Sequence, residues 1–170
     1  MPAPARASGR SIRIAVPGDA AVSSTTSRTS NSHTTNALPY QWTTLQVVPR
    51  VERDERFNAG VIMFCRSRRF LDAQVALHAD KLRALDPRAD EELIAVHLNT
   101  LARIAAGDLT AGPIAALEQA ERFHWLASPS STIIQPTPVH GGVTSDPSGT
   151  LERLFQQMVG SVGVSVLNGR

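Results

Sequence analysis

Cysteine is nearly missing from this chain of 170 residues: Cys65 stands alone. A single thiol excludes an internal disulfide and any cysteine-based zinc cluster, and it fits a reducing compartment, so the expected setting is the cytoplasm. Lysine is as scarce, with Lys81 the only one among 17 basic residues. That bias, together with abundant alanine, reflects GC-rich coding, so the arginine count says little about guanidinium chemistry. No apolar run approaches the roughly 20 residues that span a bilayer, and the N-terminus lacks the apolar core of a signal peptide. No membrane association is expected. A glycine-rich phosphate loop, a G-x-S-x-G nucleophile turn and kinase signatures are also missing, which removes the well-marked enzyme classes.

Charge is nearly balanced, 17 basic against 15 acidic residues, although the pI near 9.3 invites a nucleic-acid reading. Position weakens that reading. Before Leu38, Arg6, Arg10, Arg13 and Arg28 stand against Asp19 alone, leaving thirteen basic and fourteen acidic residues for the remainder. With a neutral body and no recognised reading motif, nucleic acid is a disfavoured partner.

Residues 1–38 are Ser, Thr, Ala, Pro and Arg without an aromatic, too poor in apolar surface to offset the entropy of ordering, and are expected to be disordered. A misassigned start, with Val16 or Val22 as the initiator, is the plain account of this segment. A single α+β domain is expected over 39–160, and 161–170 should fray. The 42% apolar content is ordinary for a chain that buries one core.

Aromatic and β-branched residues from Tyr40 to Val48, closed by Pro49, predict a strand. Ala59 to Arg66 is apolar on both alternating faces, Val61, Met63 and Cys65 against Ile62 and Phe64, the pattern of a central strand covered on both sides. Phe70 to His78 alternates and should form a hairpin with it. Asp86-Pro87 and Asp90 open a helix reaching about Ala106, with Leu93, Ile94, His97, Leu98, Leu101, Ile104 and Ala105 on one face and Gly107 as the stop. His97 is expected to be satisfied at a helix–sheet seam. Ile114 to Arg122 reads as a short helix, Phe123 to Ala127 and Thr132 to Gln135 as short strands. Asp146 and Pro147 start a last helix striped by Leu151, Leu154, Phe155, Met158 and Val162. The fold class is therefore α+β, a small antiparallel sheet packed against two or three amphipathic helices.

The blocks VPRVERDERFNAGVIMFCRSRRFLDA and ERFHWLASPSSTIIQPTPVHGGVTSDP stand in an order and separation that resemble a bacterial family, domain of unknown function 3037 (DUF3037). The resemblance covers roughly Tyr40 to Val159, and Ala59 replaces the aliphatic residue usual between Asn and Gly. The resemblance implies no activity, cofactor or catalytic residue. It does imply a partner, because members are often encoded beside HipA-like kinases.

Six residues are candidates for a binding or functional site. Arg50, Arg53, Glu55 and Asn58 lie in a charged connection between two strands, where arginine could bind an anion and Glu52 or Glu55 serve as general base; the alternative is a solvated loop with Asn58 bonded to its own turn. His140, followed by Gly141 and Gly142, either shuttles protons or binds a ligand, or else bonds the loop backbone. Arg122 with Trp125 offers a cation and an aromatic platform, or a half-buried strand. Cys65, inside the core strand, reads as inert, and His78 and His97 lack a third ligand, so neither a metal nor a cofactor is expected.

Two functions follow. One is a non-enzymatic interaction or accessory protein, for which the resemblance implies a HipA-like kinase as partner. The other is a small hydrolytic or nucleic-acid-processing enzyme built from the Arg/Glu loop and His140, which requires those residues to converge.

Overall fold

A strand that is apolar on both faces needs a layer on each side, and that requirement organises the molecule. The computed structural model describes residues 36–160. Its sheet comprises β1 (Leu38–Val47), β2 (Phe57–Cys65), β3 (Phe70–Val75), β4 (Ile134–Pro136) and β5 (His140–Thr144). The order is β3-β2-β1-β4, with β5 also pairing β1 and every pairing antiparallel. The ten-residue β1 is thus served along one side by two strands in succession. The fold is α+β, with α1 (Ala79–Leu85), α2 (Glu91–Ala106), α3 (Gln119–Leu126) and α4 (Pro147–Met158).

The helices divide between the two faces. Leu82 of α1, Ile94, Leu98 and Ile104 of α2, and Phe123 and Leu126 of α3 pack on Leu45, Val47, Ile62, Phe64 and Leu71. Leu151, Leu154 and Phe155 of α4, with Val159, cover Val61 and Met63 on the reverse. β2 is interior, as its two apolar faces require. Leu45 faces Gly60 while Gln46 faces Asn58, so Ala59 is the extra residue of a bulge. At Gly60 a Cβ would come within 2.8 Å of Val75 Cγ1, and glycine permits β3 to approach.

Caps act where the sequence placed them. The Asp90 carboxylate accepts from Leu93 N–H at 2.9 Å, and Asp146 accepts from Gly149 N–H at 3.0 Å. Gly107 ends α2 at φ 80°.

Four readings need correction. The segment 119–126, expected as the end of one helix and the start of a strand, is the single helix α3, because Glu118 and Glu121 form a capping box that outweighs the β-propensity of Phe-His-Trp-Leu. Residues 113–116 form only a 3-10 turn ahead of it. His140 lies in a strand rather than a loop. Leu93 and His97 are exposed, since the buried face of α2 is Ile94, Leu98, Ala102, Ile104 and Ala105. The expected disorder of the N-terminal extension and fraying of the C-terminus fall on 1–35 and 161–170, outside the described residues; Leu38 already belongs to β1. Among the described residues, no helix is long and apolar enough to cross a membrane.

Candidate functional site

The charged connection between β1 and β2 spends its side chains on neighbours. The Arg50 guanidinium donates to the Asp86 carboxylate at 3.3 and 3.4 Å, tying the loop to the end of α1. That hydrogen bond, followed by the Arg88 N–H, holds the Asp86 carboxyl below its ordinary range, and the same carboxylate raises Arg50. Arg53 pairs with Glu55 at 2.9 Å, and Arg56 pairs with Asp54. Asn58 accepts from Gln46 Nε2 at 3.0 Å and donates to the Met158 carbonyl at 2.9 Å. It joins β1, β2 and the end of α4.

His140 sits elsewhere. Its ring rests on Trp42, centroids 4.8 Å apart, and the two residues face each other in the β1–β5 register. Asn58 faces Gln46, four residues further along β1, or about 13 Å of strand, and Glu55 lies beyond Asn58. The acid–base pair that an enzyme reading requires is therefore not assembled.

Arg122 is turned inward, only 9% exposed. Its Nη1 donates to the Leu117 carbonyl at 2.6 Å and the Ala115 carbonyl at 3.5 Å, while Nε finds no partner. The guanidinium lies against Gly107, where a Cβ would be 3.2 Å from Nη2. Arg122 braces the turn before α3 against the end of α2, and it offers no cation to solvent. Trp125, one helical step on, is 46% exposed.

Trp125 instead forms a wall of a groove of about 720 Å³ between α2, the end of α3, the 128–133 segment and β4. Leu45 and Ile134 line its floor; Leu101, Ile104 and Leu126 line one side, and Val51 and Ile133 the rim. Four of its lining hydroxyls donate to backbone carbonyls of the protein itself. Ser128 Oγ donates to the His124 carbonyl, Thr100 Oγ1 to the Val96 carbonyl, and Ser130 Oγ and Thr132 Oγ1 to the Ile134 carbonyl. What remains is a mainly apolar surface, with His97, Ser131 and the Trp125 indole among its polar features. Among the described residues, no group of three or more His, Cys, Asp or Glu side chains could hold a metal.

A family model described as a protein of unknown function (DUF3037) matches residues 42–159. The chain belongs to this family. No curated protein and no solved structure matches it. In this DUF3037 chain the matched span contains the groove and β5 whole and begins at Trp42, the residue that carries His140.

Sequence reasoning missed the groove. The sequence offers Trp125 as an aromatic platform beside Arg122 or as a half-buried strand residue, and neither reading includes a groove.

Proposed function

We propose that this chain is a non-enzymatic accessory protein of the cytoplasm, whose groove beside Trp125 holds an amphipathic helix of a protein partner. A HipA-like kinase is the partner to which the family resemblance points. The observation that carries the reading is an open apolar groove rimmed by exposed Val51, Trp125 and Ile133. Contiguous apolar surface of this kind marks interaction sites.

Two features favour a helix over a strand or a polar ligand. Beyond the groove α2 continues with exposed Leu93 and Val96, which lead past His97 and Thr100 to Leu101 and Ile104. From Leu93 to Ile104 that is about 17 Å, the length of three turns of a docked helix. The outer edge of β4 is closed to strand addition, because Pro136 has no N–H and the Ile134 carbonyl is occupied by Thr132 and Ser130.

Affinity between the purified chain and a HipA-like kinase from the same organism tests the reading. Trp125→Ala should cost on the order of 2 kcal/mol, about thirtyfold, as central aromatic anchors do. Ile133→Asp should act likewise, whereas Glu55→Gln and His140→Gln should leave affinity unchanged. Affinity that survives both groove substitutions in a folded protein rejects the groove.

A further inference from the structure

The three exposed strand edges of the sheet are treated differently. On β3, the backbone of Ala73 points outward, since Ala76 N–H bonds inward to Ala59 and alternate residues share a direction. The outward N–H of Ala73 is taken by the Asp72 carboxylate at 2.8 Å. On β4, Pro136 and the capped Ile134 carbonyl close the edge. Edge proline is a recognised means of preventing edge-to-edge pairing, and the side-chain hydrogen bonds occupy backbone groups that an added strand would use.

β5 has no such device. Thr137 N–H bonds the Thr44 carbonyl and Val48 N–H bonds the Ile133 carbonyl, so even-numbered residues of β1 direct their backbone toward β4 and β5. In the β1–β5 register these face Thr144, Gly142 and His140, which leaves the N–H and C=O of Gly141 and Val143 pointing outward. Among the described residues, nothing bonds to them. The edge carries no proline, lysine or acidic residue, and Val143 beside it is 70% exposed.

We infer that β5 pairs with β5 of a second copy of this chain, antiparallel about a twofold axis at Gly142, making one continuous sheet across the dimer. This inference is independent of the groove. The edge is self-complementary. With Gly142 on the axis, Gly141 of one copy faces Val143 of the other, and each such pair exchanges both of its outward backbone bonds. The same register places the exposed Val143 side chain over a residue that has none. Val139, also exposed, shares that face, and Val143 then lies diagonal to Val143 and Val139 of the second copy, at the separation where apolar side chains still touch. A shift of two residues in register keeps the hydrogen-bonding parity but loses the fit of valine over glycine. An isologous patch must complement itself in this way.

Sedimentation equilibrium on the full chain, from roughly micromolar to millimolar concentration, tests the inference, since small interfaces associate weakly. A monomer–dimer equilibrium is expected. Gly141→Val should raise the dissociation constant at least about tenfold by filling the gap. Its effect is confined to association, because a Cβ at Gly141 meets nothing closer than the Tyr40 carbonyl at 3.8 Å. Val143→Lys, at an exposed site that folding does not depend on, should do the same by placing charges on the shared face. Gln135→Lys on the closed β4 edge should leave association unchanged. A chain monomeric throughout the range, or a dimer indifferent to both β5 substitutions, overturns the inference, and the second outcome places the contact elsewhere.

Discussion

The ring of Phe64 on β2 lies stacked on that of Phe123 on α3, centroids 5.3 Å apart and planes inclined by 26°. Both rings are buried, and through them the central strand is fixed to the helix that positions Trp125. Phe64→Ala should therefore cost about 3 to 5 kcal/mol in urea unfolding, the transfer free energy of the ring plus the cavity it leaves. A loss below about 1 kcal/mol, the range of surface substitutions, would contradict this packing.

Arg122 predicts a contrast between two substitutions. Arg122→Ala leaves the Leu117 carbonyl without its donor and should cost on the order of 1 to 3 kcal/mol. Arg122→Met keeps much of the packing volume and removes a buried charge that has no carboxylate partner, so its cost should be smaller. Equal losses in chemical denaturation would show that the packing of the side-chain stem contributes nothing.

Two carboxylates should respond to acid in opposite directions. Burial raises the Asp72 carboxyl above its ordinary value, more than the Ala73 N–H lowers it. The folded state then holds a proton that the unfolded chain has already released, so Asp72 disfavours folding as pH rises through and above 4. Asp72→Asn should raise the thermal midpoint at pH 7 and lose that advantage near pH 3. Asp108, by contrast, is held down to about 2 by hydrogen bonds from Thr110 and Arg103. Its contribution is complete above about 4 and lost as pH falls toward 2. Carboxyl NMR titration should give the two residues midpoints on opposite sides of an ordinary aspartate; a common midpoint would refute both environments.

Gly142 predicts a coupled pair. A Cβ there would come within 2.6 Å of the Tyr40 ring, so Gly142→Ala must displace that ring and destabilise the protein. In a Tyr40→Ala background the same substitution should cost little. Additive effects in the double-mutant cycle would show that Tyr40 does not pack over Gly142.

Elements whose signal is local were legible in the sequence. The two apolar faces of 61–65 identified the interior strand, and Asp90 and Asp146 marked the helix starts they cap. β5 was not legible: His-Gly-Gly-Val-Thr has no apolar alternation, and its pairing depends on Tyr40 and Trp42, about a hundred residues earlier. In α3, the aromatic run suggested a strand, although Glu118 and Glu121 held the capping signal. The apolar residues of α2 divide between two faces, one on the sheet and one on the groove, so a single stripe drawn through Leu93, Ile94 and His97 crossed both. Of the candidate residues, Arg50, Asn58 and Arg122 proved to be ties within the fold. The groove escaped because its floor and rim come from four separate segments that only packing brings together.

The double service of β1 also sets an order of events in folding. Its pairing with β2 closes a connection of a few residues, whereas the Thr43–Thr137 hydrogen bond joins positions 94 apart in sequence. Closing the longer span costs more chain entropy and cannot be repaid until β4 and β5 both dock. The three-stranded meander β1–β2–β3 therefore acts as the template, and β5, last to arrive and flanked on one side only, should be the first strand whose amides exchange with deuterium when the native state opens.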